Sequence, residues 1–119
     1  MKMDEFRREM EAYRRQADEE ASYLKEPFVV RKRMLQLYSR FDTHERLMAN
    51  QVVSEWVLSR DENLRFDAQG LIKDLKIIAA VPSLRKLAER LSGEQSPGAP
   101  FELEKVERII TEMTLGRPS

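Results

Sequence analysis

The one histidine of the chain, His44, stands between Asp42 and Glu45 at what reads as the first turn of a helix. As a general base it would need a nucleophile and an orienting partner. As a metal ligand it would need further ligands at helical or loop spacing. Neither accompanies it, and there is no HExxH or ExxH pattern, so a surface position is the expectation. Most carboxylates have a basic residue three or four positions away, as with Glu11 and Arg15 or Glu104 and Arg108, which is how solvated helix faces are decorated. The absence of cysteine excludes disulfides, thiolate nucleophiles and thiolate metal sites. No glycine-rich phosphate loop is present, since Ser96-Pro97-Gly98-Ala99-Pro100 has turn composition and no P-loop lysine. These residues predict a non-enzymatic chain with no catalytic centre, cofactor or metal site.

Side chains suited to binding are easier to find. Arg31-Lys32-Arg33, with Lys25 and Arg40 nearby, is the densest basic cluster, and Arg85, Lys86 and Arg90 form a second group. Phe66 points away from the apolar stripe of its own helix, which predicts either a second packing neighbour or an exposed anchor. Trp56, the sole tryptophan, lies mid-face on the most apolar helix and is expected in the core. Arg31, Arg33, Arg40, Phe66, Arg85 and Arg90 are therefore the candidate partner-binding residues. The charge balance narrows the class of partner: 21 basic residues meet 21 acidic ones, and each half of the chain is nearly neutral. Affinity for a polyanion needs a net cationic excess, so nucleic acid is disfavoured as the main partner.

The elements that position these residues follow from apolar spacing. Met3, Phe6, Met10, Tyr13, Ala17, Ala21 and Leu24 recur every three or four residues with no Gly or Pro between them, which predicts one long helix over 3–25. Its narrow stripe resembles a short heptad seam. Packing along the same chain is expected, and a homodimer through this N-terminal helix is the alternative. Pro27 stops the helix. A second helix follows over about Phe28 to Arg40, with Val30, Met34, Leu37, Tyr38 and Phe41 on its buried side.

Asp42 with Glu45 reads as a capping box opening a third helix that runs to about Ser59. Met48, Ala49, Val52, Val53, Trp56 and Val57 cover so much of its circumference that it should be central. Asp61 caps a fourth helix to about Lys76, and Pro82 suits the first turn of a fifth, over about Pro82 to Leu91, closed by Ser92-Gly93. After a loop to Pro100, a sixth helix over 101–115 carries Phe101, Leu103, Val106, Ile109, Ile110 and Met113, and the tail from Gly116 should fray. No segment alternates as a strand would. The longest apolar run, Ile77 to Val81, is five residues against the ~20 needed to span a bilayer, so no membrane segment is expected and a cytoplasmic location is.

Asp42 to Trp56 and Asp61 to Leu75 echo each other at an offset of 19, with cap, arginine, alanine and apolar positions coinciding, as two capped amphipathic helices of similar length also would by necessity. Asp61, Arg65, Ala68, Leu71, Ile72, Ala79, Pro82, Leu84 and Leu87, in that order, resemble a HEAT repeat, the helix-turn-helix unit of armadillo-type solenoids. The resemblance spans Asp61 to Leu91 and extends loosely back to Phe28. It implies stacked antiparallel helical hairpins, with Asp61 and Arg65 as scaffold that braces neighbouring helices. The 19-residue offset is shorter than a whole repeat.

The expected fold is all-α, a single domain over 1–119 of five or six helices, with HEAT-like pairs over 28–92 beside the long first helix. By analogy with small helical proteins, the expected function is a bacterial protein-binding module, in its most specific form an immunity protein that binds and neutralises a cognate toxin. A nucleic-acid-binding helical repeat protein and a small regulatory adaptor subunit are the alternatives.

Overall fold

The computed structural model describes residues 2–24 and 28–115. The described residues form six α-helices and no strand. They are α1 (Met3–Leu24), α2 (Val29–Ser39), α3 (Thr43–Trp56), α4 (Glu62–Leu75), α5 (Val81–Ser92) and α6 (Ala99–Leu115), with a single 3-10 turn at Ile78–Ala80 before α5. None of the described helices is long and apolar enough to cross a membrane. Pro27, the expected stop of the first helix, and the tail 116–119 lie outside the described residues. The helices form two compact units, Met1–Val52 and Val53–Ser119, whose boundary falls inside α3.

In the first unit α1 and α2 form an antiparallel hairpin. Near the start of α1 the Phe6 ring meets Phe41, beyond the end of α2, at 5.2 Å between centroids. Near the end of α1 Glu20 pairs with Arg33 in the first half of α2. The α1 stripe is spent within the chain at Phe6, Met10 and Ala17, which are buried, while Tyr23 and Leu24 at its end are exposed. Helix α2 starts one residue later than the spacing predicted. Phe28 adopts a left-handed conformation (φ 66°, ψ 12°) and closes the first turn by accepting from the Lys32 amide at 2.9 Å.

The expected capping box is present in full. The Glu45 amide donates to Asp42 Oδ1 at 2.8 Å and the Asp42 amide donates to Glu45 Oε1 at 3.0 Å, so two orphan donors of α3 are satisfied reciprocally. Ala49, Val52, Val53, Trp56 and Val57 are all buried, as expected of the most apolar helix. Regular α3 ends at Trp56 instead of Ser59, because the amides of Leu58 and Ser59 reach back only three residues, to Glu55 and Trp56, and tighten the last turn.

In the second unit Asp61 Oδ1 accepts from the amides of Asn63 and Leu64 at 3.0 and 3.2 Å, the N-cap read from the sequence. Ala68, Leu71 and Ile72 of α4, Leu84, Leu87 and Leu91 of α5, and Val106, Ile109 and Met113 of α6 are buried. Helix α5 packs along α6, and α4 meets α6 as well. Pro82 lies in the first turn of α5, where a missing amide costs nothing. Gly93 closes α5 with ordinary right-handed geometry (φ −97°), so no left-handed glycine is used there. Two expectations about α6 fail. The helix opens at Ala99, accommodating Pro100 in its first turn, and Phe101 is exposed while Glu102 takes the buried position beside it.

Lys76 ends α4 in the left-handed region (φ 52°, ψ 53°), with its amide donating to Ile72 O. That geometry costs a residue with a Cβ about 1–2 kcal/mol, and glycine escapes the cost but loses more chain entropy on folding. Lys76→Gly is therefore expected to stabilise the protein by about 0.5–1 kcal/mol. A rise in the urea midpoint at unchanged m-value checks it, and an unchanged or lowered midpoint contradicts it.

Candidate binding cleft

The second unit contains a buried charge cluster that the pattern of apolar residues does not announce. Arg65 on α4 grips Glu102 on α6 with two parallel hydrogen bonds, Nε to Oε2 at 2.5 Å and Nη2 to Oε1 at 2.7 Å. The side chains are only 11% and 6% exposed. Gln69, one turn along α4 and fully buried, adds Nε2 to Oε2 at 2.8 Å. Burial by itself pushes the Glu102 carboxyl up, but the hydrogen bonds from Arg65 and Gln69, with the charges of Arg65 and Arg90, overcome it and hold the group below its ordinary range. The Arg65 guanidinium moves further up, mainly through its hydrogen bond to Glu102 and against its own burial.

Two guanidiniums converge on the backbone just beyond α3. Arg65 Nη1 donates to Ser59 O at 3.2 Å, while Arg90 from α5 donates through Nη1 to Leu58 O at 2.9 Å and through Nη2 to Ser59 O at 3.4 Å. Carbonyls left over at a helix end carry partial negative charge, and cations there are favourable. Arg90 also pairs with Glu94 one turn on, at 3.5 Å.

Arg65 and Arg90 form one wall of an open cleft of about 420 Å³, with Arg60 and Glu62 on the α4 side. Glu94, Gln95 and Ser96 from the segment after α5 complete it. Arg60 is exposed and has no hydrogen bond or ion pair among the described residues. The lining is polar, and of its three guanidiniums those of Arg65 and Arg90 are held in place by internal acceptors. His44 is exposed in the first turn of α3, and no group of His, Cys, Asp or Glu that could hold a metal ion occurs among the described residues.

The sequence-predicted binding residues fall in separate places. Arg31, Arg33 and Arg40 belong to the first unit, where Arg31 lies over the Phe28 ring at 5.1 Å and Arg33 is engaged by Glu20 and Gln36. Arg40 is exposed at the end of α2, and Arg85 is exposed on α5. Phe66 is a packed residue and not an exposed anchor: it is half-buried, with Arg65 at 5.6 Å and Lys105 of α6 at 5.3 Å over its ring. Of the six, Arg90 alone lines the cleft. Arg65 pairs with Glu102 of α6, and the Asp61 carboxylate caps its own helix. Glu102 and Gln69 escaped notice, yet a signal existed. Glu102 is in register with the Val106, Ile109 and Met113 stripe, and Arg65, Gln69 and Ile72 share the matching spacing on α4.

Removing one partner of a buried pair strands the other, so Arg65→Ala is expected to cost about 3–5 kcal/mol, whereas the double replacement Arg65→Met with Glu102→Leu should recover most of it. Urea denaturation of the three proteins checks this, and a double variant no better than the single one counts against it. Because the folded-state Glu102 carboxyl titrates lower than in the unfolded chain, its contribution is full above its ordinary value of 4.5 and is lost as pH falls through the folded value. Stability of the wild type should therefore fall more steeply below pH ~4.5 than that of Glu102→Gln, and parallel pH profiles would contradict the assignment. Comparison of the chain with known protein families, curated proteins and solved structures found no match.

Proposed function

We propose that this protein is a non-enzymatic protein-binding module built from HEAT-like helical hairpins, and that its most specific form is a bacterial immunity protein that holds a cognate toxin. The observation that carries the reading is Phe28. Its ring is 69% exposed and its backbone is left-handed, a conformation that costs an aromatic residue about 1–2 kcal/mol. A ring held in the open at that cost does little for the fold, and strained residues of this kind cluster where a ligand is met.

The surroundings support the same reading. Tyr23 and Leu24 at the end of α1 are also exposed, and the Arg31 guanidinium lies over the Phe28 ring. Aromatic residues and arginine are the types most enriched among the side chains that dominate binding energy between proteins. Arg33 and Arg40 of the same unit are polar contacts suited to the rim of such a surface. The neutral total charge favours a protein partner over a polyanion.

The test is affinity capture from the native host with the wild type and Phe28→Ala. A side chain at the centre of an interface contributes ~2 kcal/mol or more, so the variant should retain its partner about 30-fold less well with no loss of thermal stability. A labelled DNA duplex should not shift at low salt. Equal capture by both proteins would contradict the role of Phe28, and a salt-dependent duplex shift would contradict the choice of partner class.

A further inference from the structure

The cleft of the second unit contributes a separate contact. We infer that it receives a carboxylate side chain of the partner protein, with Arg60 as the residue that recognises it and Glu62 as the acceptor for a basic residue next to that carboxylate. This inference rests on the protein-binding reading and names the chemistry of one of its contacts.

Three observations lead to it. First, Arg65 and Arg90 are already pinned. Arg65 is held by Glu102 and the Ser59 carbonyl, and Arg90 by the carbonyls of Leu58 and Ser59. A guanidinium has five N–H donors, so each of these two keeps Nη hydrogens on the cleft wall beyond the bonds just described, while the Nε of Arg90 is buried and lies 3.5 Å from Glu94. An oxyanion placed there does not have to immobilise either side chain, which is the ordering cost that weakens most surface contacts.

Second, Arg60 and Glu62 stand two residues apart at the opening of α4, both exposed, and neither has a hydrogen bond or ion pair among the described residues. Two exposed opposite charges on one rim, Glu62 also lying within the field of Arg65, form a reciprocal reader for a segment carrying the opposite pattern. The planar fork of arginine matches a carboxylate bidentately.

Third, the charge of the site selects the class of anion. Arg60, Arg65 and Arg90 are balanced by Glu62, Glu94 and the Glu102 carboxylate behind the wall. A phosphate backbone is drawn by a net cationic field, which this shell lacks. A single carboxylate held by directional hydrogen bonds has no such requirement. At about 420 Å³ the cleft holds one or two side chains.

The experiment uses the full chain and four fluorescent peptides of equal length in a neutral background, carrying an adjacent Glu-Lys pair, Glu alone, Lys alone or neither, with inorganic phosphate as a competitor. At low ionic strength the Glu-Lys peptide is expected to bind best and the peptide with neither charge worst, by at least threefold in anisotropy midpoints. Arg60→Glu should abolish or reverse that order, while Lys86→Glu, the same charge change at an exposed α5 position outside the cleft lining, should leave it intact. Circular dichroism should show Arg60→Glu as helical as the wild type. No preference among the peptides, a preference unaltered by Arg60→Glu, or phosphate displacing the peptide at equal ionic strength would each overturn the inference. Its failure is separable from that of the parent reading. Partner capture that depends on Phe28 but not on Arg60 removes only the cleft contact. A peptide preference with no captured partner removes the Phe28 surface instead.

Discussion

The second unit depends on one buried ion pair. The Arg65 guanidinium holds Glu102 of α6 by two hydrogen bonds and reaches Ser59 O in the turn beyond α3 with a third, while Gln69 completes the shell of the carboxylate. Either charge alone would be intolerable at this depth, so the start of α6 must stay against α4 for the folded state to persist. Apolar packing among Leu71, Ile72, Leu84, Leu87, Val106 and Ile109 supplies most of the cohesion but is indifferent to small slides of one helix along another. A bidentate fork is not indifferent, because its geometry is met at one register only.

The same interaction shapes the surface. Arg65 and Arg90 are fixed by internal acceptors, and the cleft they line is polar without being loose. The turn after α3 is tight because its amides bond three residues back, and its carbonyls at Leu58 and Ser59 are the acceptors that the two arginines take up. Local backbone geometry and the chemistry of the wall are therefore one arrangement.

The first unit is organised differently. Its hairpin is set at one end by aromatic contact, Phe6 on Phe41 with Tyr38 alongside, and at the other by the more exposed pair Glu20 and Arg33. The densest basic run of the chain is partly absorbed by that packing: Arg33 is engaged by Glu20 and Gln36, and Arg31 covers Phe28. A run of like charge in a sequence is thus not a free cationic stripe in the fold. Among the large apolar side chains of this unit, Tyr23 and Phe28 are the most exposed.

The local structure is written in short-range residue patterns. Periodicity placed all six helices, the capping box at Asp42 and Glu45 and the cap at Asp61 lie where the residues put them, and Pro82 marks the first turn of α5. These features are legible because caps, turns and amphipathic stripes are interactions between residues within a few positions of one another. Contacts between helices set the rest. Glu102 and not Phe101 takes the buried position at the start of α6, because its partner Arg65 lies 37 residues away on another helix. Phe66 is packed under cations from two helices, and Arg90 serves the backbone of another segment, for the same reason. Which polar residue is spent inside the fold and which remains at the surface is settled by contacts distant in sequence, and those exist only once the helices have met.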